Sequence, residues 1–300
     1  MRYIDFNSQK FSKLALGTVQ LGLEYGVANS SGKPDKNSAK EILEYLVNAG
    51  INTFDTALAY GESQKILGEV LKKEDIHIIS KLSSNDFIYK TKESINSILD
   101  DLKRDSITGI MLHDSDLILN WSNKYTDIIK SLKEQNIINY FGISIYEEIE
   151  FEKAKDIKEI DIIQIPFNIL DNRAIKNNWL KDARERNILL FIRSVYLQGL
   201  LFLYPNKIPN NLKESKSYMD KLNHIAQTHQ LSIPQLALSF VESVAHKEVI
   251  LFGCENLQQA KSNIKEYESI KLLDNNTIEA ILEIIDSVPQ NIINPSKWNI

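Results

Sequence analysis

The sequence predicts a (β/α)8 barrel, one domain spanning residues 1–300. Three observations predict it. Short apolar runs alternate with amphipathic stretches almost from end to end, eight such runs can be counted, and 300 residues leave room for the roughly 250 that such a barrel occupies. Strands of one sheet joined by single helices must run parallel, and eight such units close on themselves. The alternative, an open doubly wound sheet, would have fewer strands and a glycine-rich fingerprint after the first. No G-x-G-x-x-G or Walker loop occurs in the chain.

In chain order the expected strands are 14–16 (LAL), 52–55 (NTFD), 76–80 (IHIIS), 107–112 (ITGIML), 137–143 (IINYFGI), 161–165 (DIIQI), 188–192 (ILLFI) and 248–252 (EVILF). They are β-branched and nearly continuous in apolarity, as expected of strands covered on both faces. The helix over 40–49 carries Ile42, Leu43, Leu46 and Val47 on one stripe, with Ser38 and Glu41 as its capping box. The helix over 91–103 carries Ile95, Ile98, Leu99 and Leu102 in the same way. Further helices fit 62–71, 124–135, 147–155, 175–186, 215–229, 234–245 and 257–265. The stretch 196–214, with Pro205 and Pro209, has no periodicity and follows the seventh strand, on the face where barrel active sites lie. The tail from 273 to 300 reads as an extra helix and an irregular terminus.

Composition excludes several classes. Lys and Arg number 35 against 40 Asp and Glu, a net charge of −5, which argues against a nucleic-acid binder. Hydrophobic residues make up 43%, too many for a disordered chain. The single cysteine, Cys254, rules out a disulfide scaffold and reads as a buried inert thiol. The first residues lack the apolar core of a signal peptide, and no run approaches the roughly 18 residues of a membrane span. A cytoplasmic protein is therefore expected, with no membrane partner. His77, His224, His229 and His246 show no metal spacing, so no metal is expected. Trp121, Trp179 and Trp298 read as packing residues.

Barrel chemistry is built at the C-terminal ends of strands. Here the second strand is followed by Asp55 and Tyr60, the third ends in Ser80-Lys81 and the fourth in His113. Each alone has a plain reading as a turn, cap or rim residue. An acid, a phenol, an amine and an imidazole on consecutive strands are hard to obtain by accident.

With these residues the chain resembles the aldo-keto reductase family. The matching stretches are Gly17-Thr18, N-T-F-D-T-A-x-x-Y-G over residues 52–61, Ser80-Lys81, and His113 after I-M-L. Gly142-Ile143-Ser144, Q-I-P-F-N over 164–168, and Gly253 with Asn263 complete the set, so the likeness runs from about residue 14 to 265. It implies reduction of a carbonyl by hydride from a nicotinamide, or the reverse. Tyr60 would be the general acid. Lys81 would be the cation that lowers its pKa from the usual value near about 10, Asp55 the partner of Lys81, and His113 a donor to the substrate oxygen.

By the same resemblance Gly17, Thr18, Asp55, Ser144, Gln164, Arg193, Ser194, Gly253, Glu255, Gln259 and Asn263 would bind the cofactor, with Ser144 and Gln164 on its carboxamide. Ser144 also precedes Glu147 by three and reads equally as a helix cap. The chain departs from the family pattern at Ile145, where an asparagine usually stands, and at Arg193, where an aromatic often stacks on the nicotinamide. Arg193 could instead face the substrate and hold an anionic or polyhydroxylated group. Asn256 and Gln259 form a capping-box pattern at the last helix, a natural phosphate site. Gln259 replaces an arginine many relatives use for the 2′-phosphate, and Glu255 would repel that phosphate; NADP(H) is the first choice and NAD(H) the second.

Gln20, Tyr25, Tyr60, His113, Asp114, Arg193 and Tyr196, with Gln198, would give a polar mouth suited to a sugar or other hydroxylated carbonyl compound. The Asp114/Asp116 pair reads more simply as a loop or cap than as a glycosidase dyad. The alternative function is a nicotinamide-binding barrel acting as a sensor or accessory subunit. The sequence leaves the oligomeric state open.

Overall fold

The computed structural model describes residues 1–29 and 31–298. A two-stranded hairpin, β1 (Tyr3–Phe6) and β2 (Gln9–Ser12), precedes eight barrel strands. These are β3 (Leu14–Gly17), β4 (Thr53–Asp55), β5 (His77–Leu82), β6 (Ile107–Leu112), β7 (Ile138–Ser144), β8 (Ile162–Pro166), β9 (Leu189–Arg193) and β10 (Val249–Phe252). All eight pair in parallel with their sequence neighbours, and β10 returns to β3 to close the barrel. The expected (β/α)8 architecture and all eight expected strands are present, within a residue or two at their ends.

Two apolar layers hold the barrel. Ala15, Ile79, Met111, Ile162, Leu189, Phe191, Val249 and Leu251 form one cluster inside it. Because strand side chains alternate, the neighbouring positions, such as Leu14, Leu16, Phe54, Ile110, Ile163 and Leu190, face the helices.

The hairpin is absent from the sequence reading. Its turn residues Asn7 and Ser8 have φ of 46° and 68°. Positive φ at both central residues gives the turn whose twist matches the flanking strands. The hairpin delivers Phe6 and Phe11 into the barrel's inner cluster, Phe11 lying 4.2 Å from the His77 ring and 6.4 Å from that of Phe191.

Several helix ends differ from expectation. The helix Lys36–Asn48 starts earlier than predicted because Asp35 caps it by accepting from the Ser38 backbone N–H; Ser38 is not the cap. Glu147, paired with Glu150, caps the helix Glu148–Ala154, so Ser144 has no capping role. The single helix expected over 175–186 is two, Arg173–Lys176 and Trp179–Glu185, broken at Asn178 with φ 57°. Trp179 is buried and stacks on Phe151, Trp298 is buried, and Trp121 packs edge-on against Tyr125. The tail forms helices Asn275–Ile285 and Gln290–Ile293; the last two residues of the predicted tail lie outside the described residues.

The aperiodic segment after β9 turns back on itself through left-handed residues, Ser194, Leu197, Gln198 and Gly199, at φ between 46° and 96°. Gln198 then ties it to the loop after β3. Its carbonyl accepts from Val27 N at 2.9 Å and its Nε2 donates to Tyr25 Oη at 2.7 Å. Among the described residues, no helix is long and apolar enough to cross a membrane.

Candidate active site

Asp55 ends β4 and Lys81 lies on the neighbouring strand β5, both buried. Lys81 Nζ donates to both Asp55 carboxylate oxygens at 2.6 Å and to the Thr56 carbonyl at 3.2 Å. Gln164 on β8 donates from Nε2 to Asp55 Oδ1 at 2.9 Å. A buried ion pair is tolerated when its charges are closely paired and further hydrogen bonds satisfy it, as here. Lys81 sits behind the wall of the cleft rather than in it. One amide N–H of Gln164, which the resemblance directs at a carboxamide, is committed to Asp55.

The turn after β4 presents Tyr60, and the chain makes that turn compulsory. Thr18 Oγ1 donates to the Asp55 carbonyl at 3.0 Å, and Ser63 Oγ donates to Thr18 Oγ1 at 2.6 Å. Thr18 is therefore a buried brace and does not line the cleft, contrary to the expected cofactor contact. At Gly22 a methyl group would strike the Tyr60 carbonyl, and Gly61 adopts φ 54°, a left-handed turn that glycine takes without strain.

Tyr60 and His113 meet edge to face with ring centroids 5.5 Å apart, and both line the cleft. Lys81 Nζ is 5.3 Å from the Tyr60 ring centroid, within cation–π range. The expectation that this ammonium makes the phenol unusually acidic is not met. Burial, and then the Asp55 charge, hold the Tyr60 phenol above its usual value; Lys81 is tied to Asp55, and the cation that opposes the rise is Arg193. Burial first, and then Lys81, pull His113 down to about 4. At neutral pH the site thus holds a protonated phenol and a neutral imidazole.

Reduction needs Tyr60 protonated, which holds below its raised pKa, and a neutral His113, which holds above about 4. The pH profile of kcat/KM for reduction is expected to be flat between about pH 5 and 9. A limb near about 6.5 would show an unshifted His113 and contradict this geometry.

The cleft measures about 740 Å³ and opens at the C-terminal ends of the strands. Gly17, Ser144, Gln164, Arg193, Ser194 and Gly253 line it from strand ends, and Gln20, Tyr25 and Tyr196 from loops. Gln259, Ser262, Asn263 and Glu266 line it from one face of the helix Leu257–Glu268, spaced as neighbours on a helix surface. Asn256 caps that helix by accepting from Gln259 N at 2.9 Å, but Gln259 Oε1 accepts from Glu255 N instead of completing a box. Asn263 Nδ2 donates to the Gly253 carbonyl at 3.2 Å, and the Gln20 amide fills the place a side chain at Gly253 would need. Cys254 is buried off the cleft, its thiol pushed up to about 12 by burial, as the inert reading expects.

Asp114 stands away from the expected polar mouth. Its Oδ2 accepts from Ser84 N at 3.0 Å and it does not line the cleft, which fits the loop or cap reading better than the expected substrate contact. Tyr146 and Glu266 are among the lining residues that the sequence did not mark. Tyr146 lies under the Arg193 guanidinium, whose Cζ is 3.9 Å from the ring centroid, and Glu266 completes the helix face. The i, i+3, i+4, i+7 spacing from Gln259 could have found Glu266; Tyr146 follows a strand end with no pattern to mark it.

Barrel enzymes place their chemistry at this mouth, and here a phenol and an imidazole share one cleft. The chain belongs to the aldo/keto reductase family, whose model matches residues 13–286. Its relatives include D-arabinose 1-dehydrogenase of Saccharomyces cerevisiae, 22% identical over 96% of this chain and 92% of that protein. Among solved structures, the holo form of an aldo-keto reductase from Bacillus halodurans matches with a TM-score of 0.79 at 21% identity, over 98% of this chain and 100% of that one. An aldo/keto reductase from Klebsiella pneumoniae, solved with NADP and acetate, matches with a TM-score of 0.73 at 14% identity over 96% of each chain.

Proposed function

We propose that the protein interconverts a carbonyl and an alcohol using NADP(H), with NAD(H) as second choice, on a sugar or other hydroxylated small molecule. The observation that carries this reading is the pairing of Tyr60 and His113 in one cleft, backed by a fully hydrogen-bonded Asp55–Lys81 pair.

The walls suit a dinucleotide. The cleft lies in the size range of ligand pockets, and one helix face offers it amide, hydroxyl and carboxylate groups. When bound, the nicotinamide supplies the hydride in reduction and accepts it in oxidation. Ser144 and the remaining polar atoms of Gln164 would hold its carboxamide, and Gly253, Glu255, Gln259 and Asn263 its adenosine end. The relative solved with NADP supports the first choice of cofactor.

Tyr60, protonated at neutral pH, gives its proton to the substrate oxygen as charge develops there. His113, neutral, donates one N–H to the same oxygen and fixes its position. Asp55 and Lys81 keep the turn and the phenol in place. Gln20, Tyr25, Tyr196 and Gln198 supply hydrogen-bonding groups for hydroxyls, and the sugar dehydrogenase among the relatives supports that substrate class.

Glu255 tests the cofactor assignment. Burial holds its carboxyl above the usual range, and Gln259 beside it carries no charge to receive a 2′-phosphate. Glu255→Gln is expected to tighten NADPH roughly three- to tenfold while NADH changes less than about twofold, read by fluorescence titration. Equal changes for both dinucleotides would place the 2′-phosphate elsewhere.

The function itself is tested by single-turnover hydride transfer from pre-bound NADPH to a panel of sugars and aldehydes. Turnover of hexanal far above every aldose would remove the hydroxylated-substrate reading. No transfer to any member would remove the reductase.

A further inference from the structure

We propose that Arg193 receives an anionic group of the substrate, a carboxylate or phosphate carried on the same molecule as the reacting carbonyl. The enzyme would then select acidic or phosphorylated hydroxy-carbonyl compounds over neutral ones. This deepens the carbonyl-reductase reading and rests on it.

Arg193 ends β9 and lines the same cleft as Tyr60 and His113. Its contacts orient the guanidinium without neutralising it. Nη2 donates to the Ile145 carbonyl at 2.9 Å, Nη1 stands 3.5 Å from Ser194 Oγ, and the Tyr146 ring covers one face. Among the described residues that line the cleft, it is the only lysine or arginine. The carboxylate nearest the chemistry, Asp55, is already held by Lys81.

The charge acts on the catalytic part of the cleft. It bears on Tyr60, His113 and Tyr25, while Glu255 and Glu266 answer to burial and not to Arg193. A half-buried guanidinium with its plane fixed and N–H groups still open is a receptor for a two-oxygen anion. Both a substrate anion and the dinucleotide's own phosphates have that chemistry, so the test separates them.

Substrate binding is read by titrating the NADPH complex with matched pairs: D-glucuronate against D-glucose, and D-glyceraldehyde 3-phosphate against D-glyceraldehyde. In the wild type the anionic member of at least one pair is expected to bind tenfold or more tightly, with an advantage that falls as salt rises. Arg193→Met brings the ratio to about one, and Arg193→Lys, which keeps the charge without the fork, gives an intermediate ratio. A wild-type ratio near one in both pairs overturns the proposal without any variant. So does a ratio that survives Arg193→Met; if NADPH affinity falls in that variant while the ratio survives, the guanidinium serves the dinucleotide. Anionic compounds that bind through Arg193 yet never oxidise the bound NADPH would sink carbonyl reduction and leave this inference standing.

Discussion

Tyr60→Phe is expected to lower kcat/KM for carbonyl reduction by about 10²- to 10⁴-fold while leaving the fold and NADPH affinity in place. The substitution removes one hydroxyl from a buried ring. The ring keeps its edge contact with His113 at 5.5 Å and its place beside the Lys81 ammonium at 5.3 Å, so packing should survive. What is lost is the protonated donor, and burial together with Asp55 ensures that the phenol is in that form at neutral pH. His113, held neutral, has a single N–H to offer and a second nitrogen that cannot donate, so it is a weak substitute. Turnover that persisted in Tyr60→Phe at more than about a tenth of the wild-type rate would mean that another group supplies the proton.

The same site shows what a sequence makes visible. Strands covered on both faces must be apolar throughout, so the eight barrel strands announced themselves, and a polar residue at a strand's C-terminal end then stood out. Asp55, Lys81 and His113 were found in this way, and Tyr60 through its spacing from Asp55. The hairpin at the start was harder. Tyr3–Phe6 and Gln9–Ser12 are four residues each, half exposed, and joined by Asn7-Ser8 rather than the Asn-Gly that signals such a turn.

Hydroxyl residues were misjudged where two roles share one signature. Ser38 and Ser144 stand at the spacing of a cap, yet the neighbouring carboxylates of Asp35 and Glu147 take the backbone N–H groups. Thr18 follows a barrel strand, as a ligand contact would, but its side chain is turned into the wall to hold the Asp55 carbonyl. Charge balance was the least legible property. The resemblance pairs Lys81 with both Asp55 and Tyr60; the Asp55 pair is present, yet burial and the Asp55 charge still hold the Tyr60 phenol up, and the cation opposing that rise is Arg193, which no strand-end pattern marked for that part.

Lys81→Met is expected to destabilise the protein by about 3–5 kcal/mol in urea unfolding at pH 7, the cost typical of stripping one partner from a buried ion pair. Asp55 would keep only the Gln164 amide at 2.9 Å, and the place of the lost ammonium is fully buried. Bond length does not set this value. Lys10 and Asp5 in the hairpin are also close, at 2.8 Å, but both are about 70% exposed, and Lys10→Met should cost less than about 1 kcal/mol. The double variant Asp55→Asn/Lys81→Met removes both charges and should recover much of the stability without recovering turnover. That outcome would separate two duties of the pair, holding the wall of the cleft and setting the field around Tyr60. If Lys81→Met instead cost no more than the surface variant, the pair would not be holding that wall.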